Sequence, residues 1–125
     1  MNEVVVVGAC RTAIGKFMGS LKDVPARTLA VTAGKEAIKR AGVDPSTIDE
    51  IVMGQVYQHM QDSLPARAVG LACGLPYRSA AMVVNQNCAS AMRATEIAAN
   101  KIMLGKTEIA LVVGVENMTR APFML

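Results

Sequence analysis

A cysteine in residues 85–92 (NQNCASAM) is the strongest candidate for chemistry in this sequence. Cys88 follows a predicted strand, residues 81–84 (AMVV), and precedes a helical pattern, so we expect it at the start of a helix. Free N–H groups there lower the pKa of a cysteine and can hold the oxyanion of an acyl transfer. The small residues after Cys88 leave room for an acyl group. A buried structural cysteine, the commoner fate of a free thiol, stays open as the alternative.

The other cysteines and the single histidine offer weaker candidates. Cys73 falls within a predicted helix and Cys10 at the end of a predicted strand, so both are expected to be structural. His59 follows a predicted strand and could serve Cys88 as a local base, or it could be a solvated loop residue. Three cysteines without C-x-x-C spacing, and one histidine, predict neither a metal site nor a disulfide framework.

Several function classes are disfavoured by the sequence. Residues 8–17 (GACRTAIGKF) lack the P-loop pattern, because Cys10 stands where a glycine is needed and Phe17 where Ser or Thr is needed. A net charge of +3 without a basic run argues against nucleic acid. No apolar stretch has the length of a membrane span, and the first residues lack a signal peptide's basic region. These features predict a cytoplasmic protein.

The elements that must position Cys88 alternate between strands and helices. Strands are predicted over residues 4–7, 48–57, 81–84 and 108–115, and helices over 25–41, from 65 to 74–76, and over 88–104. The run 4–7 (VVVV) is apolar throughout, which predicts a strand covered on both faces. This alternation is typical of an α/β fold, with a mostly parallel sheet and helices on both faces.

Four motifs along essentially the whole chain together resemble the thiolase family. Residues 85–92 resemble its nucleophile motif Asn-x-x-Cys-small-Ser-small-Leu/Met, and residues 8–17 resemble its opening Arg-Thr-Pro-x-Gly-Lys-Phe signature. Residues 65–67 (PAR) and 114–123 (GVENMTRAPF) resemble two further segments in the same order. Ala13, His59-Met60 and Leu64 depart from the family pattern. A ketoacyl synthase shares the broad fold, but the context of Cys88 is closer to that of thiolases.

The resemblance implies an activity and a set of site residues. Cys88 would take the acyl group from acyl-CoA, and its backbone N–H would serve an oxyanion hole. Glu116, Asn117 and Met118 would lie close to the acyl pocket. The implied reaction is Claisen condensation or thiolysis of acyl-CoA, with acetyl-CoA acetyltransferase the expected activity. Coenzyme A thioester is then the substrate, and neither cofactor nor metal is expected.

The resemblance also implies that residues 1–125 form an incomplete thiolase N-terminal domain. The family's CoA-binding loop region, Gly-His-Pro motif and Cys-x-Gly-Gly-Gly motif are absent from this sequence. The chain would supply only the nucleophile half and would be inactive without a C-terminal half or partner chain, in a homo- or hetero-oligomer. The expected sheet order is third, second, first, fourth strand, with the fourth an exposed edge and no stable free monomer. The alternative is a non-catalytic structural subunit or inactive fragment.

Overall fold

Three α-helices alternate with three strands in the computed structural model, which describes residues 1–58 and 62–123. Two short 3-10 turns, Pro45–Thr47 and Met118–Arg120, complete the regular structure of the described residues. In chain order the main elements are α1 (Ala26–Ala41), β1 (Glu50–Gly54), α2 (Pro65–Ala72), β2 (Ala80–Val84), α3 (Ser90–Met103) and β3 (Ala110–Gly114).

Helix α1 lies where the sequence predicts it, and its ends follow from local chemistry. Pro25 precedes its first residue, where a fixed φ and a missing N–H cost the helix little. Gly42 ends it in the left-handed conformation, with φ at 65°, which glycine adopts without a steric penalty. Lys39 and Arg40 in the last turn interact favourably with the negative end of the helix dipole.

The sheet is parallel, with β1 in the middle and the order β2-β1-β3. Gly54 of β1 is level with Val84 of β2 and Gly114 of β3, so all three strands end at the same edge. All five residues of β1 are buried, as expected for a central strand covered on both faces. The predicted α/β class with a parallel sheet is confirmed.

Helices cover both faces of the sheet, as predicted. On one face α1 and α2 pack against Ile51, Met53 and Leu111. On the other face α3 packs its alanines, Ala94 and Ala98, against Val52. Within the described residues, no helix is both long enough and apolar enough to cross a membrane.

The predicted first strand is wrong. Residues 4–7 join no strand of the described sheet, and Val5, Val6 and Val7 are 65%, 82% and 62% exposed rather than covered on both faces. The predicted sheet order is wrong at the same point, because β3 pairs directly with β1. The expectation that the fourth predicted strand lies at an edge is confirmed. The valines have the composition of a strand, but no neighbouring backbone in the described chain pairs with them.

Acidic groups fix the amino-terminal edge of the sheet. The buried carboxylate of Glu50 accepts hydrogen bonds from Lys101 of α3 and, at 2.8 Å, from the Thr107 hydroxyl. The Asp49 carboxylate accepts the N–H groups of Glu108 and Ile109 at 2.8 and 3.1 Å, which lowers the pKa of Asp49. These bonds hold the end of α3 and the start of β3 in place at the amino-terminal edge of the sheet.

Candidate active site

Cys88 lies at the carboxyl edge of the sheet, in the turn between β2 and α3. The strand ends at Val84 and the helix begins at Ser90, two residues later than predicted. Cys88 is exposed, so its thiol is accessible to a substrate. Ligand sites of open parallel sheets lie at this edge. The predicted strand-to-helix junction is confirmed.

Side chains of the turn itself hold Cys88 in position. Asn87 has a positive φ of 49°, a conformation that asparagine adopts more readily than most residues. The Asn85 Oδ1 accepts the Asn87 N–H at 3.1 Å. The Ser90 hydroxyl donates to the Asn87 carbonyl at 2.6 Å and accepts the Gln86 N–H at 2.9 Å. The sequence motif includes Ser90 but does not reveal these hydrogen bonds, although the Asn-x-Asn spacing before Cys88 is a turn signal.

Two glycines bring the start of α3 directly over the ends of the strands. A Cβ at Gly54 would lie 2.4 Å from the Ala91 nitrogen, and a Cβ at Gly114 would lie 2.5 Å from the Ala91 Cβ. Both distances are far below van der Waals contact, so only glycine allows α3 to approach this closely. Neither glycine is recognisable from the sequence as part of the site.

No side chain of the helix itself neutralises the partial positive charge at the N-terminus of α3. Its N-cap, Ala89, provides no side-chain hydrogen bond, and no acidic residue lies in the first turn. The Cys88 N–H donates to no group among residues 1–58 and 62–123. Free N–H groups at a helix start carry partial positive charge, which favours a thiolate or an oxyanion beside them.

The other candidates lie apart from Cys88. Cys73 is buried at the end of α2, and burial raises the pKa of its thiol. The expectation of a core role for Cys73 is therefore confirmed. Cys10 is half-buried and lines a cleft beside residues 11–17. His59 lies outside the described residues, so its proposed pairing with Cys88 stays a prediction.

The residues after β3 hold the carboxyl edge together. The Glu116 carboxylate accepts the N–H groups of Val56 and Tyr57 at 2.8 and 3.1 Å, which ties the end of β3 to the end of β1. Asn117 is buried, and Met118 is 57% exposed.

A cleft of about 310 Å³ brings residues 114–119 together with residues 10–17, and Cys88 is not among its lining residues. The structure therefore groups Glu116, Asn117 and Met118 with the opening loop rather than with the thiol. Their place beside an acyl pocket stays a prediction.

The three thiols are expected to react at different rates. In the folded chain, limiting iodoacetamide near neutral pH should alkylate Cys88 first, then Cys10, and Cys73 last. Cys88 is exposed, Cys10 is half-buried, and burial disfavours the thiolate of Cys73. Peptide mapping by mass spectrometry measures this order, and urea-unfolded chain is the control in which the three rates converge. Faster labelling of Cys73 than of Cys88 in the folded chain would contradict the site.

The protein is an α/β domain that carries an exposed cysteine thiol before a helix, at the carboxyl edge of a parallel sheet. No three His, Cys, Asp or Glu side chains within the described ranges come together as a metal site. The family model for the thiolase N-terminal domain matches residues 4–125. The chain belongs to the thiolase family.

The similar proteins are longer than this chain. An acetyl-CoA acetyltransferase of Cupriavidus necator is 45% identical over 125 residues, which are 100% of this chain and 32% of the relative. A solved acetyl-CoA acetyltransferase of Syntrophomonas wolfei superposes with a TM-score of 0.93 at 53% identity, over 97% of this chain and 30% of that one. A thiolase of Ascaris suum in complex with coenzyme A gives 0.92 at 33% identity, over 95% and 31%. The chain thus spans about a third of these relatives.

Proposed function

We propose that the protein supplies the nucleophile-bearing part of a thiolase-type acyltransferase, with acetyl-CoA as the acyl donor and Cys88 as the nucleophile. The observation that carries the proposal is the exposed thiol of Cys88 on a turn shaped by Asn85, Asn87 and Ser90 at the start of α3. Relatives named acetyl-CoA acetyltransferase, at 41–45% identity, support the choice of acyl donor.

The proposed first step is thioester exchange. The Cys88 thiolate attacks the acetyl carbonyl of acetyl-CoA, and the oxyanion that forms accepts the Cys88 N–H and other free N–H groups at the start of α3. The carbon–sulfur bond to coenzyme A then breaks, and the CoA thiolate leaves with the electron pair. The product is an acetyl thioester on Cys88.

Carbon–carbon bond formation requires further groups. A base must remove a proton alpha to the carbonyl of a second acetyl-CoA, and the carbanion then attacks the acetyl group on Cys88, whose sulfur departs as thiolate. By the family resemblance, the residues for proton transfer are a His and a second Cys in motifs that this sequence lacks. We infer that the C-terminal half of the thiolase fold supplies them, as a continuation of this chain or as a partner chain, together with the loop region that binds CoA, in an oligomer that acts in the cytoplasm.

Acetylation of Cys88 tests this proposal. The chain is combined with the remaining two thirds of the Cupriavidus necator enzyme and acetyl-CoA, and tryptic peptides are analysed by mass spectrometry. The expected result is one acetyl group on the peptide that contains Cys88, labile to hydroxylamine as a thioester is, and still formed in Cys10→Ala. An acetyl group on Cys10 instead would overturn the assignment of Cys88 as the nucleophile, and none on any cysteine would favour a non-catalytic subunit.

A further inference from the structure

The peptide bond between Asn87 and Cys88 contains the N–H group that the proposed thioester exchange uses. This bond is trans. In a trans peptide the C=O and the N–H lie in one plane and point in opposite directions. A contact that fixes the Asn87 carbonyl therefore also fixes the direction of the Cys88 N–H.

Ser90, the first residue of α3, binds the Asn87 carbonyl twice. Its backbone N–H donates to that carbonyl at 3.1 Å, and its hydroxyl donates to it at 2.6 Å. Ser90 is only 4% exposed, so water competes little for either bond. The Asn87 carbonyl thus points at the start of α3, and the Cys88 N–H points away from it.

A third hydrogen bond determines what the Ser90 hydroxyl does. The Gln86 N–H donates to the Ser90 Oγ at 2.9 Å. A serine hydroxyl has one proton to donate and lone pairs to accept with. Because Gln86 supplies a proton from one side, the single Ser90 proton is left for the Asn87 carbonyl. An alanine at position 90 would keep the backbone bond and lose both side-chain bonds.

The same bonds strengthen the Cys88 N–H as a donor. Hydrogen bonds accepted by a carbonyl polarise its peptide unit, and this makes the N–H of that unit a better donor. The Cys88 N–H has no acceptor within residues 1–58 and 62–123. It is therefore both oriented and available for the oxyanion that forms during acyl transfer.

We propose that Ser90 is a positioning residue for acyl transfer, whose hydroxyl acts through the Asn87 carbonyl to hold the Cys88 N–H in the direction of the oxyanion. The inference rests on the proposed function, because that N–H takes part in the reaction only if Cys88 receives the acyl group. A serine that merely holds the turn would affect every reaction of the thiol. A serine that orients the N–H affects only reactions that form an oxyanion.

Two reactions of Cys88 distinguish these roles. Acetylation by acetyl-CoA passes through an oxyanion, whereas in alkylation by iodoacetamide the sulfur displaces iodide from a CH₂ group and no oxyanion forms. In the assembly with the remaining two thirds of the Cupriavidus necator enzyme, Ser90→Ala should acetylate at least ~10-fold more slowly, a smaller loss than the about 10²–10³-fold that follows removal of an oxyanion-hole donor. Alkylation of Cys88 should keep its rate.

Matched variants control for loss of a hydroxyl and for loss of the fold. Ser90→Thr keeps the hydroxyl and should recover most of the acetylation rate. Thr32→Ala removes a hydroxyl that bonds the Thr28 carbonyl within α1, on the other face of the sheet, and should acetylate at the unsubstituted rate. Slow alkylation of buried Cys73 checks that each variant has folded.

The acetyl carbonyl on Cys88 gives a second measurement, which does not depend on the folding of a variant. With a ¹³C-labelled acetyl group, isotope-edited infrared spectroscopy reports the stretching frequency of this carbonyl, which falls when an N–H is directed at its oxygen. The frequency should be lower in the folded, unsubstituted assembly than in the acetylated chain unfolded in urea. Ser90→Ala should raise it.

The outcomes separate failure of this inference from failure of the proposed function. If Cys88 of the unsubstituted assembly is not acetylated, the proposed function is wrong and the role of Ser90 is wrong with it. If Cys88 is acetylated but Ser90→Ala reacts equally fast, or loses acetylation and alkylation in parallel, only the role of Ser90 is overturned. An acetyl carbonyl with the same frequency in the folded and unfolded chain would also overturn it.

Discussion

Cys88→Ala is expected to lower kcat by about four orders of magnitude or more in an assembly of this chain with the remaining two thirds of a thiolase. The loss is this large because the thiol forms the bond to the acetyl group. The hydroxyl of Ser90, in the same turn, is occupied by its hydrogen bonds to Asn87 and Gln86. The effect is measured as the rate of acetoacetyl-CoA thiolysis, which is monitored through the absorbance of the acetoacetyl-CoA enolate.

The controls separate loss of chemistry from loss of assembly. Cys10→Ala removes a thiol that lies apart from the α3 turn, and it should leave kcat within a few-fold of the unsubstituted assembly. Size-exclusion chromatography should show that Cys88→Ala still forms the assembly, because the substitution removes one exposed sulfur and leaves the hydrogen bonds of the turn in place. Activity in Cys88→Ala close to that of Cys10→Ala would exclude Cys88 as the nucleophile.

The chain on its own is expected to show no thiolase turnover. Proton transfer by a positioned group contributes about 10²–10⁴-fold, and the residues to which the family resemblance assigns that role are absent from this sequence. Slow acetylation of Cys88 without turnover is the expected residual chemistry. Turnover by the isolated chain at the rate of the assembly would show that the sequence already contains its own base, with His59 the candidate.

Local signals made much of the fold predictable. Helix α1 could be placed because Pro25 and Gly42 bracket a helical pattern, and both act through backbone conformation within one turn of the helix. The position of Cys88 was predictable for a similar reason. An apolar run before it (AMVV, residues 81–84) and small helix-forming residues after it determine their own secondary structures, and the junction between them determines where the thiol lies.

The valine run, residues 4–7, shows that local sequence signals do not predict which strands pair. Val4, Val5, Val6 and Val7 have strong strand propensity, yet propensity measures fit to a pleated, half-buried surface rather than a backbone preference. Whether such a run joins a sheet depends on a neighbour distant in sequence, and no described strand pairs with it here. The error in the predicted sheet order has this single cause.

The details of the site depend on contacts that composition does not reveal. Gly54 and Gly114 matter because Ala91 lies against both, and that contact exists only once the sheet and α3 have packed together. Glu116 was expected near a pocket, but its carboxylate binds backbone N–H groups at the end of β1, sixty residues away along the chain. A motif can therefore identify such residues without indicating which atoms they contact.

Asn117 is expected to have the largest effect on stability among the polar side chains after β3. Its side-chain amide is buried and donates to the carbonyls of Leu21 and Val24 at 3.1 and 2.7 Å, while its Oδ1 accepts the Thr119 N–H at 3.2 Å. It thereby fixes the loop before α1 to the carboxyl edge of the sheet. Asn117→Ala leaves these groups without partners, so we expect the free energy of unfolding to fall by about 1–3 kcal/mol.

Asn117→Asp separates the donor from the acceptor in this cluster. A carboxylate can still accept from Thr119, but it has no N–H for the carbonyls of Leu21 and Val24 and would place negative charge beside them. We therefore expect Asn117→Asp to destabilise the chain at least as much as Asn117→Ala at neutral pH. Asn100→Ala, an exposed position on α3, is the matched control and should change stability by less than about 0.5 kcal/mol. Urea unfolding of the three variants measures the order, and an Asn117→Asp variant as stable as the control would show that the amide donor does not hold the loop.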